Sequence, residues 1–160
     1  MKKGTEGFNL ENLIKGRVAE TIVEHLFSSS GYEAHMFGWE HTLPAIVGQL
    51  VDVSKNTSTG NMIRCMPDFI MREKEGNRVF FVEAKFSKNG TFRKMGSKYP
   101  YKDAYIVVVS TDSIKCATVS ELPITADDDY QHIYNHKDFK DKISKENVER
   151  CLEIARKFYQ

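Results

Sequence analysis

Hydrophobic residues at helical spacing appear near both ends of the chain. Between residues 10 and 27 they recur at steps of three, four and one, which places them on one broad face of a helix. Gly31 follows Ser28-Ser29-Ser30 and suits the left-handed position that ends many helices. A similar pattern from Val148 to Phe158 predicts a closing helix over residues 146–159.

Between these helices the hydrophobic pattern is typical of β-strands. We predict strands at residues 32–37, 62–71, 78–86, 104–109 and 114–119. The Gly76-Asn77 pair between the second and third strands favours an antiparallel hairpin. Residues 104–109 are almost continuously apolar, which indicates a strand buried on both faces. The order of elements predicts a mixed α/β domain.

Residues 39–61 carry the weakest pattern. Pro44 can begin a helix that runs through Val53, and residues 56–61 are polar enough for a turn or loop. We interpret this stretch as an insertion within one domain, because 160 residues is about the length of a single domain. The core then spans about residues 10–120, and residues 121–160 form a C-terminal helical extension.

The composition excludes several classes of protein. With 41% hydrophobic and 28% charged residues, the chain resembles an ordinary globular protein rather than a disordered or fibrous one. No apolar run approaches the ~18 residues of a membrane span, so no membrane partner is expected. The first residues lack the apolar stretch of a secretory signal, and the three scattered cysteines suggest neither disulfides nor zinc. We therefore expect a cytoplasmic location.

The net charge of +1 conceals a local concentration of positive charge. Residues 85–102, the basic segment, contain six basic residues and no acidic one: Lys85, Lys88, Arg93, Lys94, Lys98 and Lys102. Such a patch favours contact with a polyanion, although it is also compatible with a solvated loop. Phe92, Tyr99 and Tyr101 alternate with these charges, which suits either stacking on bases or anchoring of the segment to the core.

Candidate chemistry lies on the predicted hairpin. Pro67-Asp68 stands on one strand and Glu83-Ala84-Lys85 on its partner, so pairing of the strands brings the two carboxylates together. Residues two apart on a strand face the same side, which places Glu83 beside Lys85. Two carboxylates form an oxygen-rich site suited to Mg²⁺, with Mn²⁺ as a substitute. A structural ion pair of these carboxylates with Lys85 or Arg64 is the alternative.

The tripeptide itself carries little information. An acidic residue, any residue and lysine also occur at Asp138-Phe139-Lys140, in a polar stretch without a strand pattern. Only the first copy follows an apolar strand and has a Pro-Asp pair upstream. The surroundings of Glu83-Ala84-Lys85, rather than its residue types, make it a candidate site.

One arrangement of residues resembles the signature of the PD-(D/E)xK nuclease superfamily. Pro67-Asp68 is followed, after fourteen residues, by Glu83-Ala84-Lys85. The order of elements from residue 10 to about 120 is similar to that of its restriction-endonuclease-like core. Gly16-Arg17-Val18-Ala19-Glu20 on the first helix resembles the branch that includes archaeal Holliday-junction resolvases. The segment after Lys85 differs from branches with a Gln and a Tyr on a helix there, because Gly90, Gly96 and Pro100 interrupt it.

This resemblance implies a function and a set of site residues. It implies catalytic roles for Glu20, Asp68, Glu83 and Lys85, and a metal held at Asp68, Glu83 and Ala84. A solvated helix glutamate is the alternative for Glu20. The expected function is Mg²⁺-dependent hydrolysis of nucleic acid, as a DNA endonuclease, with Lys88, Arg93, Lys94, Lys98 and Lys102 binding the backbone. A nucleic-acid-binding module without catalysis, or a domain in which the motif is coincidental, remains an alternative. A homodimer is a hypothesis from symmetry alone.

Overall fold

The computed structural model describes residues 9–42, 57–126 and 131–159. Four α-helices are present in these ranges: α1 (Leu10–Ser29), α2 (Trp39–Thr42), α3 (Ser58–Arg64) and α4 (Lys145–Phe158). Five strands accompany them: β1 (Tyr32–Met36), β2 (Phe69–Glu73), β3 (Val79–Phe86), β4 (Tyr105–Val109) and β5 (Ile114–Thr118). Short 3-10 turns cover Val119–Glu121 and Ile133–Asn135. No helix in the described ranges combines the length and apolarity that crossing a membrane requires.

The five strands form one mixed sheet in the order β1-β2-β3-β4-β5. Only β3 and β4 are parallel, and the other neighbours are antiparallel. The hairpin of β2 and β3 turns at Gly76, as the Gly-Asn pair predicts. This arrangement confirms the predicted α/β fold with a central mixed sheet, an N-terminal helix and a C-terminal helix.

The main core lies on one face of the sheet, under α1 and α4. Alternate residues of each strand point into it, including Val82 and Ala84 of β3, and they pack against Leu26 of α1 and Leu152 of α4. Aromatic rings cluster at its centre, where Phe27 packs edge to face against Tyr32 and Phe139, with ring centroids 5.2 and 5.4 Å apart. The C-terminal helix therefore completes the same core as the N-terminal one.

The opposite face of the sheet carries a smaller cluster. Ile106 and Val108 of β4 pack there against Ile124, with Phe92 and Met95 of the basic segment at its margin. Because the other side chains of β4 enter the main core, β4 is buried on both faces, as its continuous apolar sequence predicts.

The crossover from β3 to β4 is irregular. Residues 87–104, all of which are described, contain no helix, which confirms the expectation from their glycines and proline. Phe92 instead exchanges two backbone hydrogen bonds with Ile124, of 3.0 and 2.7 Å. This connection passes over the second face of the sheet and holds the basic segment against it.

Two predictions between residues 56 and 71 are wrong. The polar residues interpreted as a turn begin α3, where the Thr57 side chain accepts the N–H of Gly60. The strand predicted from Met62 begins only at Phe69. Distant contacts stabilise this helix, because Asn61 donates to the Lys98 carbonyl and Tyr101 to that of Met62. The predicted helix from Pro44 to Val53 lies outside the described residues.

Candidate functional site

Asp68 is held at the point where the β2–β3 hairpin stops pairing. The ladder ends at Phe69 and Val82, and one residue further the Asp68 carboxylate accepts the backbone N–H of Ala84 at 2.8 Å. The carbonyl of Asp68 in turn accepts the N–H of Phe37 at 2.8 Å, which ties this point to the end of β1. Hydrogen bonds on both sides therefore fix the position of the carboxylate.

Glu83 and Lys85 project from the same side of β3, as their spacing predicts. The Lys85 ammonium donates to the Glu83 carboxylate at 2.5 Å. Glu83 is buried, with 9% of the residue exposed, whereas a third of the Lys85 side chain reaches solvent. The lysine is thus tethered to a buried carboxylate while its ammonium remains accessible from the surface.

The environment of Asp68 disfavours its charged form. Burial and the nearby Glu83 carboxylate raise the pKa of Asp68 from 3.8 to about 7, and Glu20 contributes in the same direction. The Ala84 N–H and the Lys85 ammonium lower this pKa, but they do not outweigh the other effects. Crowded carboxylates of this kind are characteristic of functional sites.

Glu20 reaches the same site from α1. It lines a pocket of about 260 Å³ together with Asp68, Glu83 and Lys85. Its carboxylate also accepts a hydrogen bond from Arg17 at 2.6 Å, so the helix supplies a partner for it. The fold thus brings all four predicted catalytic residues to one pocket, from α1, from the residue before β2 and from β3.

The donor set fits a hard divalent cation held by few protein ligands. Asp68 and Glu83 offer carboxylate oxygens on adjacent strand positions, and Mg²⁺ in proteins is commonly bound through one or two carboxylates plus water and phosphate. Among the described residues, no group of three or more His, Cys, Asp or Glu side chains is placed to hold a metal. Ala84, the third residue that the resemblance places at the metal, lies between Glu83 and Lys85. Its backbone N–H donates to the Asp68 carboxylate.

The basic segment exposes its charges and buries its rings. All five cations predicted to bind nucleic acid are exposed: Lys88, Arg93, Lys94, Lys98 and Lys102. Tyr99 is buried, and Tyr101 packs edge to face on Phe81 with ring centroids 5.2 Å apart. Of the two interpretations of Phe92, Tyr99 and Tyr101, the structure supports anchoring to the core.

Sequence reasoning missed the neighbours that α3 supplies. Asn61, Arg64 and Tyr99 line a second pocket beside Glu83, whereas the sequence indicates Arg64 only as an ion-pair partner of the carboxylates. The turn and strand predicted for residues 56–71 do not include α3, so they give no indication of this pocket.

Comparison of the chain with protein-family models, with curated proteins and with solved structures finds no match. The relation to the PD-(D/E)xK nucleases therefore stays a prediction from sequence motifs and from the order of the elements. The positions of Glu20, Asp68, Glu83 and Lys85 around one pocket are structural observations that do not depend on that relation.

Proposed function

We propose that this protein is a metal-dependent phosphodiesterase that cleaves DNA. The observation that carries the proposal is the pocket in which Asp68 and Glu83 stand beside Lys85 at the end of the β2–β3 hairpin. Two crowded carboxylates and one lysine can supply what metal-assisted hydrolysis of a phosphodiester uses, which is a cation site and a positive group beside it.

Each residue has a role that follows from its position. Asp68 and Glu83 would hold Mg²⁺ or Mn²⁺, and Glu20 would accept a hydrogen bond from a water at the pocket wall. The ion supplies a water of lowered pKa and charge to stabilise the phosphate. Lys85 donates one of its three N–H groups to Glu83, which leaves the others for a water or a phosphate oxygen.

The basic segment supports a nucleic acid as the substrate. Its exposed cations follow directly after Lys85 in the chain and lie on an irregular connection, where side chains can adapt to a phosphate backbone. Contacts of this kind position a nucleic acid without reading its sequence. We therefore propose backbone binding and not base-specific recognition by this segment.

A cleavage panel tests the proposal. Duplex, single-stranded, flap and four-way-junction DNA, with RNA as a comparison, would be incubated with Mg²⁺, Mn²⁺ or EDTA. We expect cleavage that requires the metal and is lost in Asp68→Asn. The matched control is Lys140→Ala, which alters the second acidic-x-Lys tripeptide. Absence of metal-dependent cleavage on every substrate would refute the proposed activity.

A nucleic-acid-binding module without catalysis is the second candidate. The ion pairs Lys85–Glu83 and Arg17–Glu20 favour it, because they compensate two of the carboxylates without a metal. This candidate predicts DNA binding with a steep salt dependence but no cleavage in Mn²⁺. Nicking of supercoiled plasmid by the wild-type protein, absent in Asp68→Asn, would exclude it.

A further inference from the structure

A second pocket, which we call the α3 pocket, adjoins the candidate active site. It has a volume of about 330 Å³ and lies between α3 and the basic segment. Arg64 and Asn61 line it from α3, and Lys98 and Tyr99 line it from the basic segment. Glu83 lines both pockets. A ligand bound at Asp68 and Glu83 therefore has this second cavity beside it.

Two long-range hydrogen bonds hold the walls of the α3 pocket together. The Asn61 amide donates to the Lys98 carbonyl at 2.8 Å, and the Tyr101 hydroxyl donates to the Met62 carbonyl at 2.9 Å. Both join α3 to the basic segment across more than thirty residues of chain. The pocket is therefore formed before any ligand binds, which reduces the loss of conformational entropy on binding.

The pocket presents positive charge that the described part of the protein does not neutralise. Neither Arg64 nor Lys98 forms an ion pair with a described residue. Glu83, the acidic residue in the wall, already pairs with Lys85 on the side of the candidate active site. Unpaired cations in a concave site favour an anionic ligand, and arginine is particularly suited to phosphate.

Tyr99 supplies an independent observation. Only 6% of Tyr99 is exposed, and its hydroxyl has no hydrogen-bond partner among the described residues. Burial and the neighbouring Glu83 raise the pKa of this hydroxyl, so it remains protonated and available as a donor. Because an unsatisfied buried hydroxyl destabilises the folded protein, a phenylalanine would serve better for packing alone. Because Tyr99 lines the α3 pocket, we take its unsatisfied hydroxyl as a donor for a ligand bound there.

We propose that the α3 pocket binds the phosphate next to the one that is cleaved, with Arg64 and Lys98 as its cations and Tyr99 as a hydrogen-bond donor. This inference rests on the proposed function, since it assumes that a phosphate occupies the adjacent site. Successive phosphates of one strand would then lie on the two sides of Glu83. The strand direction is set by which phosphate occupies which pocket.

Calorimetry with two small probes tests this subsite without requiring cleavage. Thymidine 3′,5′-bisphosphate carries two phosphates at the spacing of one nucleoside, and thymidine 5′-monophosphate carries one. With Mg²⁺ present, we expect the wild-type protein to bind the bisphosphate at least about tenfold more tightly, the effect of one charged hydrogen-bonded contact. Arg64→Gln should abolish this preference, and Tyr99→Phe should reduce it. Lys140→Ala is the matched control and should retain it.

Thermal unfolding of the same variants separates a binding role from a packing role. If Tyr99 binds phosphate, Tyr99→Phe keeps or raises the melting temperature while it weakens bisphosphate binding. A variant that is stabilised and binds the bisphosphate as tightly as wild type would overturn the role of Tyr99. If Arg64→Gln retains the full preference, the subsite itself is wrong.

The proposed function and this inference fail in different ways. Metal-dependent cleavage together with equal affinities for the two probes would refute the subsite and leave the nuclease proposal intact. An Arg64-dependent preference without cleavage in Mn²⁺ would refute the nuclease proposal, while the subsite would stand as part of a nucleic-acid-binding surface.

Discussion

The chain contains the same acidic-x-Lys spacing twice, and the fold treats the two copies differently. In Glu83-Ala84-Lys85 the acid and the lysine meet on one side of β3 and line an open pocket. In Asp138-Phe139-Lys140 the middle residue is buried in the main core, and Lys140 is exposed on a series of turns. The second tripeptide brings together no pair resembling the first.

The difference lies in the backbone conformation and in the partners. An extended strand places residues two apart on the same side, whereas the turns around Asp138 do not. Asp138 accepts a hydrogen bond from the Tyr105 hydroxyl at 2.8 Å, and Arg78 lies 4.0 Å from the same oxygen. Its carboxylate therefore stabilises the fold, whereas Asp68 and Glu83 crowd each other. The comparison shows that the surroundings, and not the residue types, decide whether the acid and the lysine of this tripeptide meet at a pocket.

The strongest test removes the crowded carboxylates. Asp68→Asn and Glu83→Gln should each abolish metal-dependent cleavage, because each loses a charged ligand while retaining its shape. Lys140→Ala should cleave at the wild-type rate. Single-turnover cleavage with Mg²⁺ measures the effect, and near-wild-type activity in either carboxamide variant would refute the site assignment.

The next test removes Lys85, the lysine of the first tripeptide. Lys85→Ala should lower the cleavage step by roughly two to four orders of magnitude, the range for a positioned acid–base or electrostatic group. Metal affinity should survive, because the ammonium lies beside the carboxylates and is not itself a ligand. Calorimetry with Mn²⁺, single-turnover cleavage and thermal unfolding on one preparation measure these quantities. A destabilised Lys85→Ala protein that still cleaves would assign the lysine a structural role.

The charges around the two motifs should differ in their effect on DNA binding. Lys94→Glu and Lys98→Glu remove exposed cations of the basic segment, and each lost phosphate contact should reduce the slope of log K against log salt by roughly 0.9 on duplex DNA. Lys140→Glu makes the same charge change beside the second motif and should leave the slope unchanged. Fluorescence anisotropy over a range of salt concentrations gives the slopes. If all three variants kept the slope of the wild-type protein, the basic segment would not contact the nucleic acid.

The smallest effects concern stability. Replacing Asp68 should stabilise the protein, whereas replacing Asp138 should destabilise it. The pKa of Asp68 is raised in the folded protein to about 7 from an ordinary value of 3.8. The folded state therefore retains a proton that the unfolded state releases, and the free energy of unfolding falls as the pH rises through this window. Asp68→Asn should raise the melting temperature of the metal-free protein at pH 8 and change it little at pH 4.

Asp138→Ala provides the opposite case. It leaves the Tyr105 hydroxyl without its acceptor, which should lower the free energy of unfolding by about 1–3 kcal/mol. Thermal unfolding at pH 8 compares the two variants directly. If Asp68→Asn were the destabilising one, the crowding of carboxylates at the site would be contradicted.

Local patterns in the sequence determined the framework of this protein. The periodicity of α1, the Gly-Asn turn and the alternation along β3 depend on neighbours within a few residues, so they were predictable. The shared side of Glu83 and Lys85 follows from the same alternation. The position of Glu83 and Lys85 opposite Asp68, at the end of the hairpin, follows from the pairing of β2 with β3.

Tertiary contacts decided the parts of the site that no local pattern indicates. Residues 58–64 include Ser, Thr, Gly and Asn, which are weak helix formers, and the helix forms there with hydrogen bonds from Asn61 and Tyr101 to distant carbonyls. The same contacts place Arg64 beside Glu83 and bury Tyr99. The proximity of Glu20 to Asp68 likewise depends on how α1 packs on the sheet. Packing energy from residues far apart in the chain outweighs local preference there, and for that reason only the folded structure shows the α3 pocket.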